Sequence, residues 1–158
     1  MMDGAQTGGP ASKARLRLWL GLLKLTGGIE AELRRRFRER HNTTLPRFDV
    51  MAALARHPDG LRMSGLSTAL RVSNGNVTGI VDRLCEDGLV TRRAVEGDRR
   101  AQLARLTPAG ETAFRALARD HERWIDELLG GLTAGDVDAM ATLLRRGRDG
   151  AEERRHGA

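Results

Sequence analysis

Two glycines on the polar side of one short amphipathic helix constrain this chain more than any other feature. Val77, Ile80, Val81 and Leu84 fall at i, i+3, i+4 and i+7, so a helix stopped by Gly88 turns one stripe toward a core. At about 100° per residue, Gly75 and Gly79 then centre the opposite face. Asn76 and Thr78 flank them, Ser73 and Asn74 crowd the N-terminal end, and Asp82, Arg83 and Glu86 follow toward the C-terminus. A glycine inside a helix costs about 0.5 to 1 kcal/mol relative to alanine, so two on one exposed face imply that something approaches the bare backbone closely. The floor of a DNA groove fits, because asparagine and threonine can meet base edges and the unpaired amides at a helix start suit a phosphate. The plainer alternative is a solvated face with tolerated glycines.

The neighbours of this helix narrow the choice. Ser64 is a candidate cap for a short helix carrying Leu66, Ala69 and Leu70, and Ser73 is a candidate cap for the glycine-faced one; together they form a helix-turn-helix pattern. Residues 89–94 and 101–106 then read as two strands joined through 95–100. Arg92, Arg93, Arg99 and Arg100 crowd the end of this hairpin, giving a positive finger suited to phosphates or a narrow minor groove.

The runs Val77-Thr78-Gly79-Ile80-Val81-Asp82-Arg83-Leu84, Gly88-Leu89-Val90, Gly97-Asp98-Arg99-Arg100 and Leu106-Thr107-Pro108-Ala109-Gly110 resemble the winged-helix signature of the multiple-antibiotic-resistance regulator (MarR) family. The resemblance implies a dimeric, ligand-responsive bacterial transcription regulator that is not an enzyme. Arg100 stands at the family's wing-tip arginine, and Asp98, before it, supports the wing. Many members carry arginine where this chain has Gly79, which leaves Ser73, Asn74, Asn76 and Thr78 as the readers of bases. The expected DNA-facing set is therefore Ser73, Asn74, Gly75, Asn76, Thr78, Gly79, Arg83, Arg92, Arg99 and Arg100.

The expected fold is mainly α with a small β-hairpin wing. Residues 1–10 form a polar, glycine-rich tail expected to be disordered, and 11–158 form one domain. Within it, 11–44 and 107–148 supply dimerisation helices and 45–106 the winged helix-turn-helix head. Leu16, Leu18, Trp19, Leu20, Leu22, Leu23 and Leu25 are apolar nearly all round the first helix, so it should be buried from more than one side, between subunits. Gly27-Gly28 is expected to interrupt or bend it, after which Ile29, Leu33 and Phe37 keep a stripe while Arg34, Arg35, Arg36, Arg38 and Arg40 stay wet. Thr44 with Pro46, and Thr107 with Pro108, read as helix starts; Thr133 with Asp136 reads as a capping box; residues 150–158 read as frayed. The apolar surface on the flanking helices exceeds what the head can cover, and a twofold partner buries it on both copies.

A net charge of +6 favours an anionic partner, nucleic acid or a membrane surface. No window reaches the roughly 20 apolar residues of a membrane span, and no targeting segment is visible, so a cytoplasmic location is expected. The single Cys85 suits a reducing compartment and is most simply a small buried hydrophobe, a redox-sensing thiol being the alternative. The four histidines are scattered, so no metal site and no cofactor are expected. In the family, a small molecule such as an aromatic acid binds between the dimerisation helices and the head. Trp19, Leu23, His41, Phe48, Met51 and Arg36 are the candidate lining here, and the run from Arg34 to Arg38 would fit a larger anion such as an acyl thioester. The expected partners are an inverted-repeat duplex, a small-molecule effector and a second copy. A winged-helix protein-interaction module and a non-specific DNA-packaging protein are the alternatives.

Overall fold

The computed structural model describes residues 9–70 and 74–156, with the side chains of Asn74, Arg99 and His156 outside the description. Its elements run α1 (Pro10–His41), α2 (Leu45–Ala55), β1 (Leu61–Arg62), α3 (Met63–Leu70), α4 (Asn74–Glu86), β2 (Val90–Val95), β3 (Asp98–Leu106), α5 (Pro108–Leu128) and α6 (Ala134–His156). The chain divides at Glu122 into two compact units.

Local chemistry sets the element ends. Asn42 takes φ of 48° after α1, its amide donating to the Arg38 carbonyl and that of Thr43 to the Phe37 carbonyl, both at 3.2 Å. The Thr44 hydroxyl accepts from the Arg47 amide at 3.4 Å, and Pro46 in the first turn presets the helical φ of α2. Gly88, at φ +73°, ends α4: its amide donates to the Cys85 carbonyl at 3.0 Å and the Leu89 amide to the Leu84 carbonyl at 2.9 Å. This bond pair turns the chain sharply out of α4 and into β2.

The sheet is antiparallel in the order β1-β3-β2. Val50, Met51 and Leu54 of α2, Leu66 of α3, Val77, Val81 and Leu84 of α4, and Val90 and Ala104 of the sheet are buried together as the core of the head. An aromatic stack ties α1 and α5 to it. The Phe48 ring lies 4.9 Å from Phe37, 5.8 Å from Phe114 and 4.6 Å from His121. In the second unit, Thr133 and Asp136 cap α6 reciprocally, Thr133 donating to the Asp136 carboxylate through its amide (2.9 Å) and hydroxyl (2.6 Å) while the Asp136 amide donates back at 3.2 Å.

Several expectations are corrected. Gly27 and Gly28 neither break nor end α1, which is one helix of 32 residues; neither glycine has a neighbour whose packing would enforce a kink. The short helix opens at Met63 rather than after Ser64, because the two-residue strand β1 precedes it directly. The hairpin turn is shorter than expected, with only Glu96 and Gly97 between β2 and β3. The last helix continues to His156 instead of fraying from 150, and the helix expected from residue 11 already begins at Pro10. The rest of the expected tail, residues 1–8, lies outside the described residues.

Candidate nucleic-acid interface

α4 is buried on one face and exposed on the other. Val77, Val81 and Leu84 are fully buried, whereas Gly75, Asn76, Thr78, Gly79 and Arg83 are exposed. Among the described residues, a Cβ placed on Gly75 or Gly79 would meet nothing within 4 Å, so neither glycine is required by their packing. Gly75, Asn76, Gly79, Ile80 and Arg83 line a shallow concavity of about 290 Å³, completed by Thr44 and Arg47 from the start of α2. Those two were missed from the sequence because they lie some thirty residues away. Ser73 falls outside the described residues, as do the side chains of Asn74 and Arg99.

The wing carries its arginines in two ways. Ala94 pairs with Gln102 but Val95 with Asp98, so residues 99–101 bulge from β3 near the tip. Gly97 turns the tip at φ +81°. The Asp98 carboxylate accepts from the Arg100 amide at 3.1 Å and stands 4.0 Å from the Arg62 guanidinium, which fixes the backbone at the bulge while the Arg100 side chain remains exposed. Arg92 is arranged otherwise. It is half-buried on β2, and its guanidinium lies 2.5 Å from the Asp82 carboxylate of α4. The finger envisaged from the sequence thus separates into an exposed tip and a paired base.

The residues expected to line a ligand site come together only in part: the His41 and Phe48 rings both stand against Phe37, at 6.4 and 4.9 Å. Trp19 and Leu23 are exposed on α1, and Trp19 lies 22 residues before His41 on the same helix, about 33 Å away at 1.5 Å per residue. Phe48 and Met51 are buried in the core. His41 pairs with Asp120 at 2.7 Å. The arginine run is matched by carboxylates one turn away: Arg34 with Glu30 (3.1 Å), Arg35 with Glu32 (2.6 Å) and Glu39 (2.5 Å), and Arg36 with Glu32 (2.8 Å). Hydrogen bonds from Arg35 and then Arg36 hold the Glu32 carboxyl down at about 2. This face is a ladder of ion pairs within the one helix. A different opening, of about 330 Å³, lies where α2, β3 and α5 meet; Leu54, Ala55, Pro58, Leu106 and Phe114 line it with Glu111 and Arg115. Cys85 is partly buried, and that burial pushes its thiol up against the opposing pull of Arg92, away from thiolate chemistry.

Three helices under a small antiparallel sheet, with a side-chain-poor helix face beside an arginine-tipped hairpin, define a winged helix-turn-helix of the DNA-reading kind. The MarR family profile matches residues 41–101. A MarR family transcriptional regulator from Silicibacter pomeroyi is 37% identical, with a TM-score of 0.78 over 91% of this chain and 99% of that one. The transcriptional activatory protein BadR of Rhodopseudomonas palustris is 32% identical over 63% of this chain. The chain spans 58% of BadR's length and 60% of that of the regulator BilQ of Clostridium symbiosum. A mutant MarR from E. coli complexed with operator DNA shares the fold, at 22% identity and a TM-score of 0.73 over 84% of this chain and 94% of that one. The chain belongs to the MarR family of transcriptional regulators. No helix among the described residues is long and apolar enough to cross a membrane.

Proposed function

We propose that the protein works as a homodimeric repressor on an inverted-repeat operator and is released from it by a small-molecule ligand. The observation that carries this reading is the placement of Gly75, Asn76, Thr78 and Gly79 on an open helix face while Arg100 extends from the bulged tip of the same head. α4 enters the major groove, where its bare backbone lets Asn76 and Thr78 reach base edges, and Arg100 enters the neighbouring minor groove. Arg83 borders the concavity from its exposed side and can meet a phosphate, while the Arg47 guanidinium on the other side is paired with the Asp87 carboxylate.

Dimerisation follows from α1. Leu16, Trp19, Leu20 and Leu23 form one exposed face, and Leu18 and Leu25 lie on the other side of the same helix. Val137, Leu143 and Leu144 are likewise exposed on α6. A twofold partner covers these surfaces with their own copies. It also sets two heads on one duplex, so the second half-site binds effectively intramolecularly, with centres about 34 to 36 Å apart.

The effector's place is the opening bounded by Leu54, Pro58, Leu106, Phe114, Glu111 and Arg115. It has an apolar floor and one cationic side chain, which fits an aromatic acid, and it lies between the head and α5. A ligand that prefers one spacing of the heads shifts the population away from the DNA-bound spacing. Titration of a random duplex pool at two salt concentrations tests the proposal. Enrichment of an inverted repeat with steep salt dependence supports it; absent binding favours a protein-interaction module, and salt dependence without enrichment favours DNA packaging. Arg100→Ala weakens all sequences and lowers the salt slope by about 0.9 per head, about 1.8 for the dimer, whereas Asn76→Ala relaxes preference at particular bases.

A further inference from the structure

The arginines of the head divide by partner. Arg83, Arg93, Arg100 and Arg105 are exposed, and no described carboxylate stands within ion-pair distance of them. Arg92 differs in being half-buried, with its guanidinium 2.5 Å from Asp82 in the middle of α4. We propose that Arg92 is a positioning residue: with Asp82 it forms a strut that sets the angle between the recognition helix and the wing, rather than a clamp on a phosphate. The proposal rests on the DNA-binding reading of this same head.

The geometry explains why a strut is needed. The base of the wing is fixed where the Thr107 amide donates to the Leu89 carbonyl at 3.0 Å and the Thr107 hydroxyl to the Gly88 carbonyl at 2.7 Å. Beyond it, β2 continues toward the tip paired with β3, and β1 stops after Arg62. From Arg92 to Gly97 is five residues, about 17 Å of extended chain. A pivot of about 10° at Arg92 would therefore carry the tip about 3 Å sideways, half the roughly 6 Å width of a minor groove. The contact between α4 and β2 at Arg92, three residues beyond Leu89, suppresses that pivot. It does so with a carboxylate from the helix that reads the major groove, so the placement of Arg100 is referred directly to α4.

The decisive experiment compares the parent with Asp82→Asn, Arg92→Gln and the exchanged pair Asp82→Arg/Arg92→Asp. Operator affinity is measured across a salt series and thermal unfolding on each protein. A strut predicts that both single variants lose about fivefold or more in affinity with the salt slope unchanged, and that the exchanged pair recovers most of the loss. It further predicts that Arg100→Ala costs less in the Asp82→Asn background than in the parent, because a displaced tip has little left to lose. That coupling would not move if the pair served stability alone. A phosphate clamp predicts the reverse: Arg92→Gln lowers the slope by about 0.9 per head, about 1.8 for the dimer, Asp82→Asn binds more tightly by freeing Arg92, and the exchanged pair binds worst; this result overturns the strut. Asp82→Asn preserves shape and stays informative should the charge reversals fold poorly. Failure of the parent to bind any duplex overturns the DNA reading and the strut with it, whereas normal binding by all variants overturns the strut alone.

Discussion

The same substitution, glycine to alanine, is expected to have opposite signs at two helical positions of this protein. Gly110 lies in the first turn of α5, where alanine ordinarily adds about 0.5 to 1 kcal/mol of helix stability. Here an added Cβ would sit 1.9 Å from the Leu89 carbonyl oxygen. That oxygen accepts from the Thr107 amide, and the Thr107 hydroxyl in turn accepts from the Gly110 amide at 2.9 Å while donating to Gly88. Retreat by more than 1 Å is required, and it takes the Thr107 knot with it. Overpacking of about 1 to 3 kcal/mol, with two hydrogen bonds of about 1 kcal/mol each, outweighs the gain in propensity and leaves a net loss of about 2 to 4 kcal/mol. For a chain of this size the melting temperature falls by roughly 5 to 15 °C. Gly79→Ala, open to solvent, should instead gain up to about 1 kcal/mol. Thermal and urea unfolding of both variants decides the matter. A Gly110→Ala protein as stable as the parent, or shifts of the same sign at both sites, would refute the close-approach argument.

Two further predictions concern acid stability and assembly. Burial in the aromatic stack holds the His121 imidazole below its ordinary value, so between that lower value and about 6.5 the unfolded chain binds more protons than the native one. Stability is therefore lost as pH falls through about 6.5, and His121→Phe should flatten this part of the profile; an unchanged profile in unfolding measurements from pH 7 to 5 contradicts the assignment. Trp19→Glu places a charge on the exposed apolar face of α1, and sedimentation should show the proposed dimer of the parent replaced by a single chain with far weaker operator binding; a parent that is itself a single chain, or a variant that stays dimeric, contradicts dimerisation through this face.

What could be read from the sequence was what is local. The ends of α2, α4 and α6 each rest on two or three adjacent residues, and Thr44 with Pro46, Gly88, and Thr133 with Asp136 announce them directly. The buried face of α4 follows from spacing alone, and so does its open glycine face. β1 was invisible because two residues carry no periodicity and it exists only by pairing with residues 103 and 104. Continuity of α1 through Gly27-Gly28 reflects flanking turns strong enough to outweigh two glycines. The partner of Arg92 lies ten residues back on another element, a relation that only the packed head creates. The carboxylates matching Arg34, Arg35 and Arg36 were readable, since Glu30, Glu32 and Glu39 stand three or four positions away. The opening near Phe114 was not, because it draws on α2, β3 and α5 at once.

Methylation of operator DNA by dimethyl sulfate reads both grooves in one experiment, since it modifies guanine N7 in the major groove and adenine N3 in the minor. The parent protein should protect guanines in two segments about one helical turn apart and adenines beside each of them. Gly79→Leu, which fills the open helix face, should abolish the guanine protection, and Arg100→Ala the adenine protection alone. Protection of neither groove, or a pattern indifferent to both substitutions, would contradict the account of how this head meets DNA.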